Sequence, residues 1–462
     1  MQILTVSDII KATNGRLIAG DEKALETEIS NITTNSREAD KTSLFIPLVG
    51  ETVDGHRFIG SAFGQGAVVS LTHNDEAVCG GVLIKVDDTR KALGDIARYY
   101  KKKYPLKSVS VTGSVGKTTT KDMIYGVISQ HYKSHKTPNN FNNDIGLPLT
   151  IFGLENEHEA AVLEMGMNHF GEIEYLAGIG CTDVAVITNI GMSHIENLGS
   201  QEGIFKAKME IVTGFDENNT LIVNGDDKFL KTVTSDTYKV IKYGLDVCND
   251  VYAKDIVSLG LSGIKFTIVY FGEEFEAFVS QPGVHNVNNA LAAVCVGKLF
   301  GVTTDECIKG LKECEYTSSR LEIINANGIE IINDCYNSSP DSVRAALKVQ
   351  QNTLCKHRVA ILGDILEMGE YAKEEHYKLG RTVYESGVDF LICVGENAKE
   401  IAKGASECGM ENIKVYDTTD SLAEVIGEFL REGDSVLVKA SHGMQFFKIT
   451  DAIKNIDSEK EV

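Results

Sequence analysis

The segment VTGSVGKTTTKD, residues 111–122, constrains the possible folds of this chain more than any other feature. Its first glycine ends the alternating, strand-like run SVSVTG. After its last glycine the apolar residues Met123, Ile124, Val127 and Ile128 follow at helical spacing. Glycines let backbone N–H groups face a phosphate, and a helix N-terminus adds a favourable dipole. The segment therefore predicts a strand, a phosphate-binding turn and a helix in succession.

The glycine turn is a shortened form of a phosphate-binding loop. Only two residues separate Gly113 from Gly116, whereas the Walker A pattern has four at that place. Lys117 supplies a positive charge for the outer phosphates of a nucleotide, and the hydroxyl of Thr118 is placed to hold Mg²⁺. The alternative is a glycine turn beside a chance lysine, but the strand before it and the helix after it favour the phosphate site.

Strand-like and helix-like runs alternate along most of the chain, which predicts parallel sheets with helices on both faces. Short strand candidates occupy residues 1 to about 85, and the basic, helix-like stretch RKALGDIARYYKKKYP reads as a linker to a second α/β region. Residues 251–280 read as a β-hairpin insertion or a sheet edge, and a third α/β group begins near Arg320. We therefore predict an α/β protein of three domains, at residues 1–87, 88–316 and 317–462.

Charge and composition exclude several classes of protein. A net charge of −21 argues against a nucleic-acid binder, which needs a basic surface to replace counterions. No apolar run reaches the length of a membrane span and the N-terminus lacks the layout of a signal peptide, so we expect no membrane insertion. The ten cysteines form no C-x-x-C pair and most lie in apolar runs, which predicts reduced core residues of a cytoplasmic protein.

Two polar residues follow strand candidates that come after the phosphate loop. Glu164 ends the run AAVLEMG, and His194 comes after the run DVAVITNIG. Ligands of open α/β sheets bind beyond the carboxyl ends of the strands, so these two side chains and Thr118 are candidate ligands of one metal site. Taken singly, Glu164 reads equally as a solvated strand end, and His194 reads as a structural histidine.

Lys208 lies in an apolar stripe. In IFKAKMEIVTGF, residues 204–215, helical spacing places Lys208 on one face with Ile204 and Ile211, whereas Lys206 lies on the opposite face. The simplest interpretation is a side chain that runs along the apolar surface and keeps its amine in water. The alternative is a buried lysine with a chemical role.

Asparagines and one arginine complete the set of candidate ligand-binding residues. The loop PNNFNNDIGLP, residues 138–148, holds four asparagines, which suit an amide-rich ligand or a tight turn. Asn286 and Asn289 are spaced i, i+3 in a helical segment, where they either read a purine edge or cap the helix. Arg320 is a candidate partner for phosphate, although surface arginines are common.

Taken together and in this order, the motifs resemble the Mur ligases of peptidoglycan synthesis over nearly the whole chain. The resemblance rests on the shortened phosphate loop and on a set of further motifs, NSREAD, SLFIPLVGETVDGHRF, NNFNNDIGLP, LEMGMNHFGEI, VITNIGMSHIENLGS, KAKMEI, NDCYNSSPDSVRAAL and LGDILEMGE. It implies a small UDP-binding N-terminal α/β domain, a central P-loop ATPase domain with a mainly parallel sheet, and a C-terminal Rossmann-like α/β domain.

The same resemblance implies a reaction. ATP phosphorylates the C-terminal carboxylate of UDP-N-acetylmuramoyl-tripeptide, the amine of D-alanyl-D-alanine attacks the acyl phosphate, and phosphate leaves. The expected cofactors are Mg²⁺ at two sites and a carbamate formed from CO₂ on Lys208, which answers why this lysine lies on an apolar face. We expect a monomeric cytoplasmic enzyme.

Family roles carry over to this chain residue by residue. The expected catalytic residues are Lys117, Glu164, His194 and Lys208, of which the last three and Thr118 hold metal. The expected ATP-binding residues are Gly113, Ser114, Val115, Gly116, Lys117, Thr118, Thr119, Asn286, Asn289, Arg320 and Asp334. The expected substrate-binding residues are Ser36, Arg37, Asp54, Gly55, His56, Asn142, Asn143, Tyr336, Asn337 and Ser339.

The chain departs from the family pattern on the dipeptide side. KASHGM, with Ala440 and His442, replaces the usual lysine-glycine-serine-arginine-glycine. NSSP replaces asparagine-alanine-asparagine-proline, and Asn333 precedes Asp334 where two aspartates are usual. The alternatives are therefore a related Mur or folylpolyglutamate-type ligase with a different acceptor, and a non-catalytic binding homologue. The relative that adds the third residue of the peptide carries an aspartate-asparagine-proline-arginine motif that this sequence lacks.

Overall fold

The computed structural model describes residues 1–75 and 80–456. Three sheets organise this part of the chain, each within one of the three predicted ranges, and a two-stranded pair accompanies the first. The α/β class predicted from the sequence is confirmed. Within the described ranges, no helix combines the length and the apolar character that crossing a membrane requires.

The first sheet has five strands in the order β2-β7-β6-β5-β4, parallel except for the pairing of β2 with β7. The helices and strands of this region are β1 (Leu4–Thr5), α1 (Val6–Thr13), β2 (Arg16–Ala19), β3 (Glu28–Ile29), β4 (Asn31–Thr33), β5 (Ser43–Phe45), α2 (Ile59–Gln65), β6 (Val69–Thr72), β7 (Val82–Lys85) and α3 (Thr89–Lys103).

The stretch expected as a linker is the packed helix α3. Its Tyr100 is fully buried, accepts a hydrogen bond from the backbone N–H of Gln2 and donates one to the carbonyl of Leu154. One side chain thus joins the N-terminal strand pair to the central region. The apolar residues Leu93, Ile96 and Ala97 of this helix belong to a core cluster that includes residues of both regions.

The central sheet has nine strands in the order β16-β15-β14-β13-β12-β11-β8-β10-β9. The helices and strands of this region are β8 (Lys107–Thr112), α4 (Lys117–Ile128), β9 (Ser134–Lys136), α5 (Gly146–Phe152), β10 (Ala160–Glu164), α6 (Glu172–Gly180), β11 (Val184–Ile187), α7 (Ile195–Leu198), α8 (Gln201–Met209), β12 (Thr220–Asn224), β13 (Lys239–Gly244), β14 (Val251–Ser258), β15 (Ile264–Tyr270), β16 (Glu273–Val279), α9 (His285–Phe300) and α10 (Thr304–Lys312).

Strand order reverses at β8, and this reversal places the site. The chain moves from β8 outward to β9, returns to β10 beside β8, and then crosses to β11 on the other side of β8. The loops after β10 and β11 therefore flank the loop after β8, and such a switch point is where open α/β sheets bind ligands. Residues 251–280 form the antiparallel strands β14, β15 and β16 at the sheet edge, as predicted.

The third sheet has six strands in the order β17-β18-β22-β19-β20-β21, parallel except for the first pair. The helices and strands of this region are β17 (Glu322–Ala326), β18 (Ile329–Asn333), α11 (Pro340–Gln351), β19 (His357–Gly363), α12 (Ala372–Glu385), β20 (Phe390–Val394), α13 (Ala398–Glu407), β21 (Ile413–Tyr416), α14 (Thr419–Ala423), β22 (Asp434–Lys439) and α15 (Phe447–Lys454). The loops after β18, β19 and β22 face the central region.

The cysteines follow the prediction in part. Five of them are buried, Cys295, Cys307, Cys314, Cys335 and Cys393, and all nine described cysteines are free thiols. Cys181 and Cys248 are exposed, so the expectation of core positions is wrong for these two. Both follow the end of an element rather than lying inside an apolar run. Cys79 lies outside the described residues.

Candidate active site

The loop after β8 adopts a backbone that only glycine tolerates. Gly113 has φ of 153°, and a Cβ at that position would lie 1.8 Å from Oγ1 of Thr188. Gly116 has φ of 83° and directly precedes α4, so the loop turns straight into the helix N-terminus. The predicted succession of strand, turn and helix is confirmed, and the N-terminal N–H groups of α4 carry the favourable dipole for an anion.

Two residues after β11 brace this loop, and sequence reasoning did not single them out. The Thr188 hydroxyl and the Asn189 amide donate to the carbonyl of Val115, at 2.6 and 2.9 Å. Oδ1 of Asn189 accepts from the N–H of Val115 at 2.9 Å, and Oγ of Ser114 accepts from the N–H of Gly191. Their position directly after β11, the strand that pairs with β8, is the one sequence feature that could have predicted this role.

Lys117 and Arg320 bring positive charge to the loop from two domains. Nζ of Lys117 donates to the carbonyls of Gly113 and Ser114, at 2.7 and 3.3 Å. The Arg320 guanidinium lies 4.1 Å from the ring centroid of Tyr336, and its buried Nε has no acceptor within the described chain. Burial, opposed by Glu164 and aided by the charge of Arg320, lowers the pKa of Lys117 to about 8. Two cations with unfilled hydrogen-bond capacity suit a polyphosphate.

Glu164 is buried at the end of β10, beside the phosphate loop. Its Oε1 accepts from Nδ2 of Asn142 at 2.8 Å and from the Thr118 hydroxyl at 3.3 Å. Its Oε2 is buried and has no hydrogen-bond donor among the described residues. A buried carboxylate oxygen without a donor, next to a hydroxyl, matches the oxygen ligands that Mg²⁺ prefers. The expected proximity of Thr118 and Glu164 is therefore present, and Asn142, which was expected to bind substrate, contacts the same carboxylate.

His194 turns toward the C-terminal domain. Its backbone is left-handed, with φ of 62°, and its Nδ1 lies 2.5 Å from Oε2 of Glu367, a residue of the LGDILEMGE motif. This contact lowers the pKa of the Glu367 carboxyl. Glu164, His194 and Glu367 do not form a cluster with all ligand atoms within 4.8 Å of one another. The metal-binding role of His194 stays a prediction.

Lys208 is 1% exposed in α8, whereas Lys206 two residues earlier is exposed. The simple interpretation, an amine that reaches water, is therefore wrong. Burial, aided by the charge of Lys117, holds the pKa of the Lys208 amine well below its usual range. No hydrogen bond or ion pair to Nζ of the buried Lys208 occurs in the described ranges.

Asn286 and Asn289 serve the packing of α9 against α4. Nδ2 of Asn286 donates to the carbonyl of Pro282, and its Oδ1 accepts from Nδ2 of Asn289 at 2.9 Å. Oδ1 of Asn289 accepts from the Thr120 hydroxyl at 3.0 Å. Both side chains are almost fully buried, and their amides are engaged within the protein. Contact of these residues with the adenine stays a prediction.

The loop after β18 brings the predicted dipeptide residues to the domain interface. Asp334 pairs with buried Lys439 at 2.6 Å, and Nζ of Lys439 also donates to the carbonyl of Asn337. Ser339 caps α11 by accepting from the N–H of Ser342. Its hydroxyl is thus used locally, while Asn337 is exposed.

A cavity of about 160 Å³ lies between the central and C-terminal domains. Ser193, His194, Asn337, Ser338, Ser339, Ile365, Leu366, Glu367, Met368, Ser441, His442 and Gly443 line it. The ring of His442 is exposed and lies 5.4 Å from the ring of Tyr336. The altered KASHGM and NSSP motifs therefore line the same cavity.

The N-terminal domain has a cavity of about 220 Å³, far from the phosphate loop in sequence. Ser36, Arg37 and Gly55 are among its lining residues, whereas Asp54 and His56 are not, and the substrate-binding role of all five stays a prediction. Nδ1 of His56 lies 2.7 Å from Oδ1 of Asp54, and the backbone N–H of His73 donates to Nε2 of His56. Both nitrogens of His56 are therefore engaged within the domain. Asn143 ends its own loop by accepting from the N–H of Gly146.

Three family models match successive parts of the chain. They are the "Mur ligase family, catalytic domain" at residues 28–101, the "Mur ligase middle domain" at residues 111–297 and the "Mur ligase, glutamate ligase domain" at residues 319–442.

Relatives and solved structures match this chain over nearly its full length. A UDP-N-acetylmuramoyl-tripeptide–D-alanyl-D-alanine ligase of Bacillus subtilis strain 168 is 38% identical over 459 residues, 98% of each chain. A crystal structure of MurF from Acinetobacter baumannii is 30% identical with a TM-score of 0.89, covering 98% of this chain and 99% of that one. A MurF ligase of Thermotoga maritima, crystallised in complex with ADP, is 27% identical with a TM-score of 0.83, covering 94% and 98%.

Proposed function

This chain belongs to the Mur ligase family. From that premise we propose that it joins D-alanyl-D-alanine to UDP-N-acetylmuramoyl-tripeptide in peptidoglycan precursor synthesis. The reaction converts ATP to ADP and phosphate. The enzyme is an ATP-dependent amide ligase. Full-length similarity to ligases of this name supports this function over a folylpolyglutamate-type ligase or a non-catalytic homologue.

The observation that carries the proposal is the group of charges at the phosphate loop. Lys117 and Arg320 face the loop from two domains, and the buried carboxylate of Glu164 lies beside them. Phosphoryl transfer needs positioned charge around the phosphate more than it needs a covalent partner on the protein. A buried carboxylate oxygen that accepts no hydrogen bond within the described chain is costly to keep, which supports a role for Glu164 in the reaction.

Each group has a stated task in the reaction. The N–H groups of the loop and the Lys117 ammonium hold the β- and γ-phosphates of ATP, and Arg320 adds charge as the γ-phosphate moves to the carboxylate of the tripeptide. The amine of D-alanyl-D-alanine then attacks the acyl phosphate carbon, an amide bond forms, and phosphate leaves. Closure of the C-terminal domain excludes water, which would otherwise hydrolyse the acyl phosphate.

The residues present fit Mg²⁺. Thr118 and Glu164 would hold it, because one offers a hydroxyl and the other a buried oxygen without a donor. The ion supplies charge neutralisation for the transferred phosphoryl group. We propose a second ion near His194 and Lys208.

We propose that Lys208 carries a carbamate. Its amine is buried with a depressed pKa, and only the neutral amine attacks CO₂. A C–N bond forms, one proton leaves the nitrogen, and the product is a carboxylate, an oxygen ligand of the kind that Mg²⁺ prefers. The charge of Lys117 nearby favours the anion.

We propose three domains at residues 1–87, 88–316 and 317–462. Each domain binds a different substrate or part of a substrate. The cavity with Ser36, Arg37 and Gly55 takes the UDP end, the loop after β8 takes ATP, and the cavity with Asn337 takes the dipeptide. We further propose a cytoplasmic monomer.

An ATPase assay tests the proposed function. We expect ADP to form only when UDP-N-acetylmuramoyl-tripeptide and D-alanyl-D-alanine are both present, with amide product in equal amount. D-alanyl-D-lactate and glutamate serve as the comparison acceptors, since the first keeps the attacking amine but has an ester in place of the amide N–H of the dipeptide, and the second is the acceptor of the rival class. ADP formation with a folate and glutamate, but not with the dipeptide, would reject the proposal.

His442→Arg should leave the ligase active, with kcat/KM for the dipeptide within about twofold of the unsubstituted enzyme. His442 is exposed at the mouth of the cavity beside Tyr336, where the family has an arginine, and there is room for a longer side chain. Either residue provides a donor at that place. A loss of more than about tenfold, with the KM for ATP unchanged, would mean that the loop is built for another acceptor.

A further inference from the structure

The helix after the phosphate loop buries two adjacent charged residues, and the chemistry described above uses neither. Lys121 and Asp122 of α4 are each 1% exposed, in the same helix as the core residues Met123 and Ile124. A charge taken out of water is tolerated only where it is paired. The partners of these two residues therefore indicate what they do.

Lys121 faces the carboxylate of Glu164. Its Nζ lies 3.6 Å from Oε2 of Glu164 and 3.8 Å from Oδ1 of Asp122. These distances are those of ion pairs rather than of hydrogen bonds, so Lys121 leaves the lone pairs of Oε2 free. Oε1 of the same carboxylate is held by Asn142 and Thr118. Glu164 is thus fixed by hydrogen bonds at one oxygen and by a buried positive charge at the other.

Asp122 joins the same chain of charges to the start of the C-terminal domain. Its Oδ1 accepts from Nζ of Lys136 at 2.7 Å, and its Oδ2 accepts from the N–H and the hydroxyl of Thr317 at 2.9 and 2.8 Å. Thr317 lies between α10 and β17, in the segment that connects the two domains. The four charges, those of Glu164, Lys121, Asp122 and Lys136, sum to zero.

We propose that Lys121 is a positioning residue that acts through Glu164, an inference that rests on the proposed ligase function. It holds the unbonded oxygen of Glu164 in the orientation needed for phosphoryl transfer, and Asp122 fixes Lys121 relative to the connection at Thr317. Without Lys121, electrostatics no longer hold Oε2 in one place, and the carboxylate rotates about its hydrogen-bonded oxygen. The loss falls on kcat rather than on the binding of the peptide substrates.

The test compares Lys121→Met with Lys136→Met. Both substitutions remove a lysine partner of Asp122, so both lower the thermal midpoint, but only Lys121 reaches Glu164. We expect kcat to fall at least tenfold in Lys121→Met, with KM for the UDP-tripeptide and for the dipeptide within twofold. Lys136→Met should keep kcat within twofold. Equal kcat values in the two variants would reduce Lys121 to a structural role.

A double-substitution cycle separates action through Glu164 from direct action. In a Glu164→Gln background, Lys121→Met should change kcat by less than twofold, because the group it positions is already gone. If the decrease in kcat of the double variant equalled the product of the two single decreases, the proposal would be overturned. Should Lys121→Met fail to fold, Lys121→Gln, which keeps a donor near Asp122, is measured in the same cycle with the same expectation.

Crystallography provides a readout that does not depend on activity. In Lys121→Met without nucleotide, Oε2 of Glu164 should leave the position it has in the unsubstituted enzyme, while Asn142 stays in place. An unmoved Glu164 would contradict the proposal even if activity fell. A wild-type enzyme that forms no ADP with the two substrates would instead count against the ligase function, and the crystallographic comparison would still decide the role of Lys121.

Discussion

Lys117→Ala should lower kcat by about 10³-fold or more while the protein keeps its fold. Among the described residues, Nζ of Lys117 donates only to the carbonyls of Gly113 and Ser114 in its own loop, so its removal breaks no hydrogen bond between elements there. In its proposed role, Lys117 supplies the charge that meets the β- and γ-phosphates in the transition state, and the variant lacks that charge. The measurement is steady-state ADP formation together with a circular-dichroism melt.

Lys133→Ala is the matched control for this variant. Lys133 is exposed and pairs with Glu157 in the same domain, so it contributes little to stability and nothing to the site. We expect unchanged turnover in the control and thermal midpoints within a few degrees for both variants. A sharp fall in the midpoint of Lys117→Ala would assign the lysine a structural role, and full activity would remove it from the phosphate site.

Lys208→Ala should lose the chemical step, with kcat lower by about 10²–10³-fold. The amine is buried near Lys117 without a carboxylate partner in the described chain, and its depressed pKa keeps it reactive toward CO₂. Because alanine leaves a cavity, Lys208→Met provides a second variant that fills the space and cannot be carbamylated. A short added carboxylate such as acetate should restore part of the activity of Lys208→Ala.

Lys206→Ala is the control for a lysine-to-alanine change in the same helix, because Lys206 is exposed two residues before Lys208. The activity of this variant should match that of the unsubstituted enzyme. Mass spectrometry is unsuitable because carbamates decompose in acid. Electron density from crystals grown near neutral pH is the direct measurement. Full activity in both Lys208 variants, with density for an unmodified amine, would end the carbamate proposal.

Local patterns were enough to predict the phosphate loop and the apolar helix face on which Lys208 lies, but not the burial of its amine. A strand, two glycines and a helix fix the geometry of residues 111–122 without help from distant residues. An apolar stripe at helical period fixed the buried face of residues 204–215, although the α-helix ends at Met209 and continues as a 3₁₀ turn. The same spacing places Lys121, which precedes Ile124 and Ile128 at i+3 and i+7, on a buried face of its helix.

Contacts between domains lay beyond the reach of the sequence pattern. His194 meets Glu367 across 173 residues of chain, and Asp122 meets Thr317 across 195. No local sequence pattern predicts either contact, because the way in which the C-terminal domain docks determines which residues meet. The asparagines of α9 show the same limit, since their spacing fits a purine edge and an internal network equally well, and the structure engages them in the network.

The two cations of the phosphate site, Lys117 and Arg320, belong to different domains. Nucleotide binding and docking of the two domains are therefore thermodynamically coupled. Arg320 lowers the pKa of Lys117, so the two groups repel each other when the domains meet without an anion. In the proposed complex, the phosphates of ATP attract both cations and offset this repulsion. By linkage, the factor by which docking tightens nucleotide binding equals the factor by which the nucleotide favours docking. A contact that favours the docked arrangement, such as that between His194 and Glu367, therefore raises nucleotide affinity.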